Sequence, residues 1–213
     1  MRLILLSLII FILINYFIYI IILISIKDKN AKFRIIYLKI LMLIVYISIV
    51  VIPILNSSFL YFIFPENISY FTQFWIWFLP LGIILIIVGI KINTMTKKNS
   101  KNKLYKWLEF NLLDEGIYKI MRHPRYSAFI LMYFGLILIL DSFIGLILCP
   151  ILYILLEIKI FVEEKLILSP KFGEKFEVYK NKTPFRLFPN PYNYVLIIVS
   201  ILIIYIGFLS FLP

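Results

Sequence analysis

The stretch from Pro124 to Phe161 reads PRYSAFILMYFGLILILDSFIGLILCPILYILLEIKIF, and its reading decides the fold. Two apolar runs meet at one polar pair, Asp141-Ser142, and neither run alternates as a half-buried strand would. Each is about as long as a helix needs to be to cross hydrocarbon. With two residues between them, the runs must turn back on each other as an antiparallel helical hairpin.

The same character extends outward through the chain. Of 213 residues, 63% are apolar and 15% charged, and the mean hydropathy is +1.01. A soluble domain of this size has no interior large enough for that surface, so lipid is its solvent. Hydrocarbon forbids open irregular backbone, and the runs lack strand alternation, which leaves an all-α integral membrane protein. Six spans are expected, near Leu3–Ile26, Phe33–Leu55, Ser69–Ile92, Pro124–Leu140, Phe143–Phe161 and Tyr194–Leu212. They make one membrane domain over residues 1–213: N-terminal spans to 111, a core over 112–189 and a C-terminal span over 190–213. The first run is too long for the apolar part of a cleaved signal and no small-residue cleavage site follows it, so it reads as a retained span. Cys149 is the one cysteine and lies mid-span, which excludes a disulfide framework and a cysteine metal motif, and no metal site is expected.

The net charge of +11 reflects topology rather than nucleic acid, because the basic residues lie between spans. Lys27, Lys29, Lys32 and Arg34 separate the first two spans, and Asn56–Ile68 carries Glu66 and no basic residue. Lys91–Arg125 and Lys159–Arg186 are basic again. This alternation puts the basic segments in the cytosol and both termini outside, as in a multi-pass protein of the cell membrane. Asn56-Ser57-Ser58 and Asn67-Ile68-Ser69 are glycosylation triplets on the expected outer side. In the third span, Gln73, Pro80 and Gly82 suit a kink and close helix packing better than a site.

Two polar blocks stand against this background. One runs from Gly116 through Tyr118, Arg122, His123, Pro124 and Tyr126; the other from Lys159 through Glu163-Glu164 to Phe172-Gly173, Tyr179 and Pro189. His123 lies eighteen residues before Asp141 and Lys159 eighteen after it. At 1.5 Å per residue, both sit roughly 27 Å from the turn, at the inner membrane boundary. Arg122, His123, Tyr126, Glu157, Lys159 and Glu163 therefore gather at one level facing the cytosol. Pro124 suits the first turn of a helix, whose free N–H groups favour a ligand carboxylate. Glu163 or Glu164 suits a ligand ammonium or ribose hydroxyls, and Tyr118 and Tyr126 offer faces to a flat base or a sulfonium. Taken singly, basic residues at inner helix ends are ordinary anchors; Glu157, a turn inside the span, demands a partner.

The pattern Gly-x-Tyr-x-x-x-Arg-His-Pro-x-Tyr, a helical hairpin, then Glu-Glu, Phe-Gly, Tyr and Pro resembles the isoprenylcysteine carboxyl methyltransferase family. That family belongs to a wider set that includes the phospholipid N-methyltransferases. The resemblance covers Leu112 to Pro189; the first three spans match only as apolar segments. It implies S-adenosylmethionine held at the cytosolic ends of the hairpin by Tyr118, His123, Pro124, Tyr126 and one of Glu163 and Glu164, with Leu112 and Leu113 at the adenosine end. It also implies a basic residue one turn before the glutamates that steers the substrate. Lys159 holds that place, and Arg122 at the same level is the other catalytic candidate. The implied acceptor is a lipidic or prenylated carboxylate entering from the bilayer among membrane lipids, with no nucleic acid partner.

Three departures qualify the match. Ala128 stands where the family often has Gly, Lys159 stands where Arg is usual, and the stretch from Glu164 to Phe172-Gly173 is one residue longer than in common members. The rival readings are N-methylation of a phospholipid amine, an NADPH-dependent enzyme like the sterol reductases, and a non-catalytic scaffold. Sterol reductases tend to carry Gly-Glu soon after the Tyr, where this chain has Ser127-Ala128.

Overall fold

The structure is a computed structural model and describes residues 2–24, 40, 43–44, 47–55, 57, 75–101 and 112–209. The described residues are mostly helical, with no strand among them. In chain order come α1 (Arg2–Ile24), α2 (Trp75–Lys101), a 3-10 turn at Gly116–Lys119, α3 (Pro124–Leu140) and α4 (Phe143–Glu163). A π-helical turn at Glu164–Leu168 then leads to α5 (Ser169–Phe172), α6 (Glu174–Lys182) and α7 (Tyr192–Leu209). Residues 47–55 are helical as well. About half of the expected second span lies outside the described residues, as do the first basic loop, Glu66, Gln73 and the glycosylation triplets apart from Ser57.

Two stretches, Ile76–Lys97 and Ile144–Phe172, are long and apolar enough to cross a membrane, and Ile10–Ile22 and Pro124–Leu140 are shorter apolar helices. Their outer faces carry bare apolar side chains, among them Trp77 at 75% exposure and Ile154 at 57%. Water would not tolerate a surface of that kind on a monomer; lipid does.

The turn between α3 and α4 is built as its two residues dictate. Asp141 takes the left-handed conformation (φ 51°) and donates its N–H to the Ile137 carbonyl, closing α3. Ser142 then caps α4, its hydroxyl accepting from the Gly145 N–H at 3.2 Å. The hydrophobic core forms where α3 and α4 face each other and the 47–55 segment, around Ile52, Ile137, Leu138, Leu146, Leu152 and Leu156.

A close backbone approach lies between α2 and α3. A Cβ placed on Gly82 would lie 2.7 Å from the Gly135 carbonyl oxygen, and one on Gly135 would lie 2.5 Å from that of Gly82. One heptad along, Gly89 lies against Ala128, whose oxygen would be 2.9 Å from an added Cβ. The positions pair in opposite order, so the helices are antiparallel, with small residues letting the backbones meet. Neither helix can retreat without opening the seam. We expect Gly135→Leu to cost about 1–3 kcal/mol or more of stability in detergent unfolding. An unchanged transition would show that α2 does not pack here.

Two helix ends differ from expectation. The third span was expected to end at Ile92, yet α2 continues to Lys101. Lysines end a span but not a helix, and the Thr94 and Thr96 hydroxyls donate back to the Lys91 and Asn93 carbonyls within it. The fifth span was expected to end at Phe161, but helical backbone continues through the π turn to Phe172. It stops at Gly173, whose φ of 50° suits a residue without a side chain. A π turn takes one extra residue within an otherwise α-helical run. The one-residue excess read between Glu164 and Phe172 falls on this turn.

Candidate functional site

The chain between Tyr118 and Ser127 is tied to the segment between Tyr179 and Leu187. The Arg122 and His123 backbone N–H groups each donate, at 2.9 Å, to the carbonyls of Phe185 and Arg186. The Ser127 hydroxyl donates to the Leu187 carbonyl at 2.8 Å, and the Tyr179 hydroxyl to that of Tyr118 at 2.8 Å. Burial pushes the Tyr179 phenol above its ordinary pKa, which keeps that donor protonated. The C-terminal loop is thereby folded back over the start of α3.

Beneath this lacing, Glu164 is buried among cations. Its Oε1 accepts from Arg122 Nε at 2.7 Å and from His123 Nε2 at 3.0 Å, and its Oε2 accepts from Arg186 Nε at 3.1 Å. A carboxylate only accepts, so His123 carries its proton on Nε2 here. Arg122 Nη1 donates to the Thr183 and Pro184 carbonyls at 2.6 and 2.8 Å, and Nη2 to Glu164 Oε2 at 3.5 Å. Glu157 has the partner its depth demanded: Arg186 lies 3.4 Å away.

A cavity of about 680 Å3 opens beside this cluster, within the range that encloses a small ligand. Of the residues singled out from sequence, Leu112, Leu113 and Tyr118 line one part; Arg122, His123, Pro124 and Tyr126 line the start of α3; and Lys159 and Glu163 line α4. Glu164 is not among the lining residues, and the expected ambiguity between the two glutamates becomes a difference of place. Glu163 is half-buried at the cavity and accepts from the Tyr126 hydroxyl at 3.0 Å. Glu164 lies behind the wall with Arg122. Although Arg122 borders the cavity, its guanidinium is engaged by Glu164 and two carbonyls, so its donors serve the wall. Glu157 faces Arg186 rather than the cavity.

Several lining residues were not anticipated. Asn93 and Lys97 come from α2, which the sequence presented only as a span, and their polarity within an apolar helix was the available signal. Phe129 and Met132 carry the cavity down α3, and Phe176 roofs it from α6. The Lys159 ammonium stands 4.6 Å from the centre of the Tyr126 ring and 5.6 Å from that of Tyr19 on α1. No cluster of metal-ligating side chains occurs among the described residues.

The donor set fits S-adenosylmethionine in kind: aromatic faces at Tyr118 and Tyr126, apolar Leu112 and Leu113, the Glu163 carboxylate for positive charge, and cationic Lys97 and Arg125 for a carboxylate. No curated protein and no solved structure matches the chain. The family model described as phospholipid methyltransferase matches residues 77–175, a segment that runs from α2 through the cavity-lining parts of α3 and α4 into α6. Over that segment the chain is similar to the phospholipid methyltransferases, consistent with the wider set of membrane methyltransferases that also includes the isoprenylcysteine carboxyl methyltransferases.

Proposed function

We propose that the protein is an S-adenosylmethionine-dependent methyltransferase whose acceptor is the carboxylate of a lipid-borne molecule, of which an isoprenylcysteine is the type. The observation that carries this reading is the Lys159 ammonium, 7% exposed at the cavity wall against the face of Tyr126. A buried cation beside the reaction space attracts a carboxylate and repels an ammonium.

When bound, the cofactor supplies an electrophilic methyl group on a sulfonium. Glu163 and the Tyr126 face balance that positive charge, and Tyr118, Leu112 and Leu113 enclose the base. His123 and Arg122, fixed by Glu164, hold the start of α3 in place, and Arg122 is a positioning residue on this reading. A carboxylate acceptor is ionised at neutral pH and needs no base. Lys159 orients it, and the lid of α6 and the lacing loop exclude water, so alignment provides most of the acceleration. Phe129 and Met132 continue the cavity toward hydrocarbon depth, where an apolar tail enters from the bilayer. The alternation of basic loops supports a cytosolic mouth.

A second reading, methylation of a phospholipid amine, is favoured by the family match to residues 77–175. It requires a proton acceptor, and Glu163 is the carboxylate in place for that duty. Lys159→Met and Lys159→Arg, assayed with a prenylcysteine and with a phosphatidylethanolamine, separate the two. On the carboxylate reading Met costs roughly 1–2 kcal/mol, about five- to thirtyfold in kcat/KM, with the carboxyl acceptor alone, and Arg retains activity. A Met variant that leaves carboxyl transfer unchanged, or a wild type that accepts only the amine, would sink the carboxylate reading.

A further inference from the structure

The family match begins at residue 77, yet α1 packs against Lys159, a residue of the cavity wall. Tyr16 donates its hydroxyl to the Leu155 carbonyl of α4 and is 3% exposed, which pins α1 beside the last two turns of that helix. One helical turn further along α1, Tyr19 is also buried and presents its ring to the Lys159 ammonium at 5.6 Å. From the other side the Tyr126 ring stands at 4.6 Å, and its hydroxyl is tied to Glu163. Two aromatic faces, one from α1 and one from α3, therefore bracket a single cation on α4.

We infer that Tyr19 is a positioning residue for the acceptor: it holds the Lys159 ammonium at the cavity wall, making α1 part of the substrate site. A lysine on a membrane helix otherwise extends its flexible stem toward water. An aromatic face attracts the ammonium through its negative quadrupole and leaves its formal charge in place. The ring thereby helps to fix the place of a charge that the Glu163 carboxylate also faces electrostatically. The acceptor part of this inference rests on the carboxylate reading proposed above; the placement of Lys159 by Tyr19 does not.

The experiment uses the full chain in lipid nanodiscs, with Tyr19→Phe, Tyr19→Leu and Tyr19→Met. Reductive methylation with formaldehyde and dimethylamine-borane is followed peptide by peptide in a mass spectrometer. Loss of the ring should speed modification of Lys159 about fivefold in the Leu and Met variants and leave it unchanged in Phe. Lys97, on α2, should react at its wild-type rate in all three. Equal Lys159 rates in every variant, an acceleration in Phe as large as in Leu, or a parallel rise at Lys97 would overturn the inference. If Leu lowers the yield of folded protein, Met carries the same comparison.

With a prenylcysteine acceptor, the Leu and Met variants should raise KM about fivefold while kcat and S-adenosylhomocysteine affinity hold, and Phe should restore the wild-type KM. In a Lys159→Met background, Tyr19→Leu should add nothing. An unchanged KM, or a loss of cofactor affinity in step with it, would count against Tyr19 as well. If wild-type protein methylates no carboxylate, the acceptor assignment fails, and the labelling rates still decide whether Tyr19 places Lys159.

Discussion

Glu164→Gln should destabilise the folded protein by about 3–5 kcal/mol, the largest effect expected of any conservative change in the chain. The shape of the side chain is kept and one negative charge is lost from among Arg122, His123 and Arg186. Arg122 and Glu164 are 4% and 6% exposed as side chains, so neither can turn to water for relief. Their ion pair is not in itself a large source of stability, because both charges give up hydration to form it. Removing one partner is costly for that same reason: the Arg122 guanidinium keeps its Thr183 and Pro184 contacts but loses its counter-charge. Arg122→Leu should be damaging in a similar way. The double variant Arg122→Leu/Glu164→Leu should recover a substantial part of the loss, since no buried charge of that pair then remains. Unfolding in mixed micelles measures all three. A Glu164→Gln protein as stable as wild type would mean that Glu164 is not buried against the Arg122 guanidinium.

The same cluster shows what the sequence made legible and what it hid. The hairpin was readable because Asp141-Ser142 interrupts apolar runs of spanning length, and α3 begins and ends at Pro124 and Leu140 as the pattern predicts. Equal distances from that turn put His123 and Lys159 on one cavity, since a helix converts residue count directly into height. Which way the side chains at that height face is another matter. Glu163 and Glu164 are adjacent, so on a helix they point about 100° apart, and nothing local tells which faces a cavity. That depended on Arg186, more than twenty residues further on, and on a loop whose backbone carbonyls accept from Arg122 and His123. Such partners are carbonyls that every residue owns, and they leave no mark in residue type. The contribution of α2 was hidden for a different reason. The contact with α3 rests on Gly82, Gly89, Gly135 and Ala128, where what matters is the absence of side chains. Tyr16 and Tyr19 looked like ordinary apolar positions of the first span until α1 was seen to lie against Leu155 and Lys159.

Glu163→Gln is expected to give the opposite phenotype to its neighbour: near-normal stability and a loss of cofactor affinity. Glu163 is half-buried at the cavity, with the Tyr126 hydroxyl at 3.0 Å as its hydrogen-bond donor. Glutamine still accepts that bond, so the wall remains intact. What disappears is the negative charge that, on the proposed reading, faces the positive charge or the ribose hydroxyls of S-adenosylmethionine. A hydrogen bond to a charged group is worth about 1.5–3 kcal/mol, and partial exposure to water keeps the loss near the middle of that range. The affinity for S-adenosylmethionine, measured by calorimetry, should fall roughly thirtyfold, which corresponds to about 2 kcal/mol. Glu164→Gln, examined at a temperature where it is still folded, should lose less affinity than stability, because Glu164 does not line the cavity. The two substitutions remove the same charge from adjacent residues, so any difference between them comes from the direction each side chain faces. Should Glu163→Gln bind S-adenosylmethionine as wild type does, the proposed cofactor contact at α4 is wrong. Should Glu164→Gln alone lose it while remaining stable, the assignment of the two glutamates must be exchanged.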